Sequence, residues 1–228
     1  MSASRTARAT WRNTTHDWAG TVDFGHLARI RRDPVRFAPS GTLHLVLEVI
    51  AYAADEAESR GGGRCRVTVR PDGSVSVVDD GRGTDTRVDD RGEVVKKPVM
   101  ATKDLRFFDH ADAPALPDGH PRQGMSTVAA LSTWLVHTNR RHNGSWTQRY
   151  EHGGPTTGLR SIPDDGTTGT GVHFLPARPL LPADDATVRD LARLTGSWPH
   201  LRLTVHGGPA LGLRGLPRPP KDRPLPGR

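Results

Sequence analysis

The stretch from Gly41 to Gly83 constrains the fold of this 228-residue chain more than any other. It reads as one amphipathic helix, one hairpin and an acidic, glycine-rich turn. In the helix, predicted over 42–58, Leu43, Val46, Leu47, Ile50, Ala54 and Ala57 recur at the i, i+3, i+4, i+7 spacing of a buried stripe. His44, Glu48, Tyr52 and Asp55 follow each other at helical spacing, so they form one polar row on another face. Ser40 or Thr42 is placed to cap the helix start, and Gly61-Gly62-Gly63 to end it. The hairpin follows over 64–78. Cys65-Arg66-Val67-Thr68-Val69 and Ser74-Val75-Ser76-Val77-Val78 alternate with period two, and Pro71-Asp72-Gly73 supplies the turn. The second strand runs out into Asp79-Asp80-Gly81-Arg82-Gly83. Polar helix row and acidic strand end are therefore expected to meet over one cleft.

The remaining chain supplies elements in a clear order. Residues 1–22 form an N-terminal arm rich in Arg, Thr and Ser, and 207–228 form a Pro- and Arg-rich tail read as flexible. Between them, 23–206 suits one domain with a real core. A short helix is expected over His26-Leu27-Ala28-Arg29-Ile30-Arg31-Arg32-Asp33 before Pro34. Residues 84–123 lack periodicity and carry several prolines, which marks a functional or mobile segment. Helix 124–132, strand 133–139, an Asn143-Gly144 turn, strand 145–151, strand 172–175, helix 184–194 and strand 200–205 complete the pattern. Lys and Arg total 32 against 25 acidic residues, a net charge of +7. Much of the excess is arginine at the two ends, so DNA binding is not expected from charge alone. No apolar run of eighteen residues and no apolar leader are visible, which predicts a cytoplasmic protein without a membrane span. Cys65 is the single cysteine, so no internal disulfide and no cysteine-based metal site are expected.

The helix from Glu48 to Ala57, followed by Asp79-Asp80-Gly81-Arg82-Gly83, resembles the ATPase domain of gyrase B, the ATP-consuming half of DNA gyrase. That domain belongs to the GHKL (Bergerat) fold of type II topoisomerases, Hsp90, MutL and histidine kinases. Gly124-Met125-Ser126-Thr127-Val128-Ala129-Ala130-Leu131-Ser132, Tyr150-Glu151-His152-Gly153 and Thr168-Gly169-Thr170-Gly171-Val172-His173-Phe174 extend the resemblance in the right order over roughly 26–205. It implies an α+β fold, a two-layer sandwich whose mixed sheet is covered on one face by helices. It implies an arm that swaps between subunits in a homodimer, although a disordered tail reads equally well there. It implies that Glu48 stands where the family's general base stands. It places Asp79 at the adenine-binding aspartate, with Gly81 and Gly83 beside it, and Thr170 at a second adenine contact. Asp79 also reads simply as an acidic strand end, and Thr170 as an ordinary β-branched strand residue. Mg-ATP would be the family cofactor.

The departures from the family pattern fall on the chemistry. Tyr52 stands at the asparagine that ligates magnesium, and a phenol is a poor, bulky substitute for a hard-cation ligand. Ala51 stands where gyrase has a carboxylate. The glycine-rich phosphate lid is replaced by Gly119-His120-Pro121-Arg122-Gln123-Gly124, where Pro121 removes a donor. Arg122 is placed to pair with an anion or to sit solvated in a loop. Thr84-Asp85 replaces an apolar wall of the base pocket. No transducer domain with a phosphate-sensing lysine follows, so a complete topoisomerase subunit is not expected. The expectation is a degenerate domain without a cofactor or metal. It reuses the cleft for a small-molecule ligand through metal-independent acid–base chemistry, such as cyclisation or isomerisation in specialised metabolism. Glu48, Tyr52, Asp79 and His120 are the candidate catalytic residues; His44, Asp55, Gly81, Gly83, Arg122 and Thr170 are the candidate ligand contacts. Two alternatives stand beside it: a non-catalytic regulator or resistance partner that mimics a gyrase subunit, and an ATP-binding module without topoisomerase activity.

Overall fold

The computed structural model describes residues 22–84, 100–142 and 144–207, together with 87–88 and 94–95 as short strands. The arm expected over 1–22, the tail expected over 207–228, Asp85 and Asn143 therefore lie outside the described residues, except Val22 and Gly207. The chain opens with helix α1 (Phe24–Arg32), N-capped by the Asp23 carboxylate on the His26 N–H. Pro34 then occupies the first turn of a new short helix, α2 (Pro34–Phe37), where its missing donor is harmless.

Helix α3 (Thr42–Arg60) is the central element. Its start is not capped by Ser40 or Thr42. Gly41 is the N-cap residue at φ 61°, and the Thr42 hydroxyl donates instead to the Leu181 carbonyl. Its end is as expected, with Gly61 in the left-handed conformation and its N–H on the Ala57 and Glu58 carbonyls. The burial pattern differs from a simple two-faced helix. Every residue from His44 to Ala51 is buried, including His44 and Glu48, while Leu43 is only partly buried. By length and hydropathy the segment Pro34–Arg60 is apolar enough to cross a membrane, but it contains the core helix α3, and 72% of its most apolar eighteen-residue stretch is buried inside this domain.

Strands β1 (Gly63–Val69) and β2 (Val75–Asp79) form the expected hairpin. The short pair β3 (Arg87–Val88) and β4 (Val94–Val95) stands apart. The chain continues with helix α4 (Met125–Ala130), β5 (Ser132–Arg140), β6 (Trp146–Glu151), β7 (Gly154–Pro155), β8 (Arg160–Ser161), β9 (Gly169–Pro176), helix α5 (Asp185–Arg193) and β10 (Leu201–Gly207). The sheet runs β10-β1-β2-β9-β5-β6-β7, with β8 also on β6. It is mixed, because β10 joins β1 in parallel and the other pairs are antiparallel. Cys65, Val67 and Val69 are buried while Arg64 and Arg66 face water, so the helices cover one face only. This is the α+β two-layer arrangement that the sequence predicts. Helix α3 lies across β1 and β2 and against α4. Its polar row is thereby carried over the ends of β2 and β9 and under the 100–124 segment.

Candidate functional site

The polar row of α3 meets different partners at each turn. At the first turn, the His44 Nδ1–H donates to Asp118 Oδ2 at 2.8 Å, and Nε2 lies 3.6 Å from Glu48 Oε1. His120 reaches the same corner, its ring edge-on to His44 with centroids 6.3 Å apart. Glu48 is fully buried. Its Oε1 accepts the Gln123 N–H and its Oε2 accepts the Gly124 N–H at 3.1 Å. Burial pushes this carboxyl above the usual carboxylate range, opposed by those two N–H groups, His44 and Arg122.

One turn on, the Tyr52 phenol donates to Asp104 Oδ2 at 2.8 Å, and Arg106 holds the same carboxylate through two nitrogens. Arg122 is buried rather than solvated. Its Nη1 lies 2.9 Å from Asp55 Oδ2, and its guanidinium sits over the Tyr52 ring at 4.8 Å and the Phe107 ring at 3.9 Å. Asp104, Phe107 and Asp118 come from the aperiodic segment, and nothing local in the sequence singles them out.

Beyond Tyr52 lies a cavity of about 190 Å³. Val49, Val77, Met100, Met125 and Val172 give it apolar walls. Tyr52, Glu56, Asp79, Thr84, His137 and Thr170 add polar groups, and Gly83 completes the lining. Asp79 Oδ1 accepts N–H groups from Gly81 at 2.8 Å and Thr170 at 3.2 Å. Among the described residues no donor contacts its Oδ2. Burial raises the Asp79 carboxyl to about 6. Glu56 holds Arg82 through Nε at 2.7 Å, Nη2 at 2.9 Å and its backbone N–H at 3.0 Å, which fixes the Gly81-Arg82-Gly83 turn. Gly83 has φ +74°, and a Cβ there would lie 2.5 Å from the Arg140 carbonyl. The buried Asn139 amide clasps the next residue. Its Oδ1 accepts the Thr84 N–H at 2.6 Å and its Nδ2 donates to the Thr84 carbonyl at 3.1 Å.

The sequence-derived candidates thus separate into two groups. Tyr52, Asp79, Gly83 and Thr170 line the cavity, with Gly81 bonded to Asp79. His44, Glu48, Asp55, His120 and Arg122 do not line it. They are tied to one another and to residues 118–124. The single cleft expected for helix row and strand end is therefore divided, with Tyr52 on the boundary. Glu56, Met100, Met125, His137 and Asn139 belong to the site as well, and sequence reading did not find them. Among the described residues no three His, Cys, Asp or Glu side chains are placed to hold a metal ion.

A mixed sheet in the order β10-β1-β2-β9-β5-β6-β7 with one helical layer, its central helix lying across β1 and β2, defines a GHKL-type fold. The chain is, more particularly, homologous to the ATPase domain of gyrase B and of its topoisomerase IV counterpart. It is 34% identical over 140 residues to the gyrase B protein of Synechocystis, covering 60% of this chain and 13% of that protein. It is 33% identical over 172 residues to the corresponding topoisomerase 4 protein of Streptococcus pneumoniae, covering 70% of this chain and 26% of that protein. The match thus spans about a quarter or less of these relatives' length. The topoisomerase IV ATP-binding domain of Francisella tularensis, solved in complex with a small-molecule inhibitor, has the same fold. It superposes with a TM-score of 0.62 at 23% identity, over 79% of this chain and 50% of that one. No protein-family model matches the chain.

Proposed function

We propose that this protein binds a small planar heteroaromatic ligand at Asp79 and does not hydrolyse Mg-ATP. It keeps the base-binding half of a gyrase-B-type cleft and has lost the magnesium–phosphate half. One observation carries the reading. Along the segment that stands in for the phosphate lid, every backbone donor already has a partner inside the protein. Gly119 N–H bonds the Leu116 carbonyl, His120 N–H bonds Asp118 Oδ1 and Arg122 N–H bonds the Pro114 carbonyl. Gln123 and Gly124 N–H bond Glu48, and Pro121 has no donor. Phosphate binding at such a segment needs converging free N–H groups, and none is left.

The side chains agree with this reading. A magnesium ion needs several oxygen ligands in near-octahedral geometry. Here the residue at the family's ligand position is a phenol that donates its hydrogen to Asp104, with the Arg122 guanidinium 4.8 Å from its ring. A cation beside that guanidinium would be repelled, and the donor set does not fit magnesium. Glu48, the counterpart of the water-orienting base, is enclosed and holds the lid segment in place.

The cavity, by contrast, suits a ring. Its apolar walls match the faces of a flat heterocycle, and Asp79 Oδ2 is available to an amino or ring N–H donor. A carboxyl near pH 6 also lies in the range useful for proton transfer, so any metal-independent acid–base chemistry would run through Asp79 with Tyr52 at the margin. The test is calorimetric titration with adenine against wild-type protein and Asp79→Asn. The expected result is binding by the wild type and a loss of about tenfold or more in the variant. Equal binding by both would overturn the reading.

A further inference from the structure

We propose that His137 is a specificity-determining residue of the Asp79 cavity, so that the ligand carries an amino or carbonyl group on the edge facing β5 as well as the donor held at Asp79. This rests on the base-pocket reading above and names the ligand more closely.

His137 is 5% exposed and lines the cavity. The strand pairing shows where it stands. Val77 pairs with Val172 and Val172 with His137, so the three form one row across β2, β9 and β5. The next row along contains Asp79 on β2, Thr170 on β9 and Asn139 on β5, with Asn139 and Thr170 paired directly. Asp79 and His137 are therefore diagonal corners of the cavity floor, two strands and one side-chain repeat apart. Sheet geometry puts their Cα atoms about 12 Å from each other. Val77 and Val172 supply an apolar floor between them. Side chains reaching in from both corners leave room for a fused bicyclic ring, with a polar substituent at each end.

The imidazole is set up to make a hydrogen bond that the described residues do not provide. Among the described residues its ring nitrogens have no hydrogen-bond partner. Trp146 packs edge-on at 4.9 Å with an interplanar angle of 85°, which fixes the ring orientation without using either nitrogen. Neighbouring polar side chains are already engaged with other groups. Gln148 accepts from the Tyr150 hydroxyl and donates to the Thr157 carbonyl, and Asn139 holds Thr84. Burial keeps the imidazole neutral at physiological pH. A neutral ring offers one N–H donor and one acceptor, so it can receive an amino group or bond a carbonyl. An imidazole that lines a cavity with both nitrogens uncommitted leaves its hydrogen-bonding capacity to what the cavity holds. The resulting ligand class is an amino- or oxo-substituted purine-like bicycle, in preference to one with polar groups on a single edge.

The experiment compares adenine with its 2-amino, 2-oxo, 8-amino and 8-oxo derivatives by calorimetry, using wild type, His137→Leu, His137→Gln and Asp79→Asn. His137 ring nitrogen shifts are followed in parallel on histidine-labelled protein. The expected result is at least one derivative that binds about tenfold more tightly than adenine and shifts the His137 ring nitrogens. His137→Leu should erase that preference, so that derivatives and adenine bind it alike, and His137→Gln should retain part of it. If no derivative is preferred, or the preference survives in His137→Leu, the inference fails and the base-pocket reading stands. If none of the purines binds wild type, or Asp79→Asn binds them all equally well, the base-pocket reading fails and this inference with it.

Discussion

Asp79 sets the folding energetics against the ligand site proposed for it. Its carboxyl moves from 3.8 to about 6 because burial disfavours the charge more than the Gly81 and Thr170 N–H groups favour it. The folded state therefore holds the proton more tightly than the unfolded chain. That contribution to stability is fully present below about pH 4 and is lost as pH rises through 6, so above pH 6 the ionised group costs about 2–3 kcal/mol. Asp79→Asn removes the charge and keeps an oxygen for both N–H groups. Its melting temperature should exceed the wild type's at pH 8, with the gap closing toward pH 4 while ligand binding is lost. A gap independent of pH would contradict the assigned cause. Asp79 was legible in the sequence because an acidic pair ending a strand before Gly-Arg-Gly is a local pattern. His137 and Asn139 were not, since a polar residue in an alternating strand gives no sign of whether it faces water or a cavity.

At the scale of elements, α3 and the 100–124 segment form one interlocked unit. Periodicity predicted the helix and its apolar stripe. It could not show that His44 and Glu48 are buried, because their partners Asp118, Gln123 and Gly124 lie more than seventy residues away in an aperiodic stretch. The departure of Tyr52 from the family pattern was visible in sequence. Its anchoring to Asp104 and its stacking under Arg122 were not. The interlock argues that restoring one ligand will not rebuild a magnesium site. Tyr52→Asn removes the phenol from Asp104 and a ring from beneath Arg122, and should destabilise the fold by about 1–3 kcal/mol in urea unfolding. It should gain no magnesium-dependent ATP affinity, and a gain would show that the lid segment remains able to open. The Asn139 clasp belongs to the same scale. Asn139→Leu removes both Asn139 bonds from the Thr84 N–H and carbonyl and should cost about 1–3 kcal/mol. An unchanged stability would mean that water or a shifted turn replaces both bonds.

For the whole molecule, the order of elements was readable from periodicity and turn residues and the two-layer fold from the family resemblance, whereas the strand order and the division of the cleft were not. Two buried histidines contribute to the acid response. His26 and His137 are both held at about 4 by burial, below their ordinary 6.5. Their contribution is present above pH 6.5 and is lost as pH falls toward 4, each on the order of 3 kcal/mol, with the raised carboxyls of Asp79 and Glu48 acting in the opposite direction. Unfolding free energy measured in urea should fall through that window, and a flat profile would contradict it. The central claim is that the base half of the cleft persists without the magnesium–phosphate half. Its most direct test is calorimetric titration of the wild-type protein with adenine and with ATP, each with and without magnesium. Adenine is expected to bind at least as tightly as ATP, with magnesium changing neither affinity. ATP binding that tightens tenfold or more on adding magnesium would contradict it.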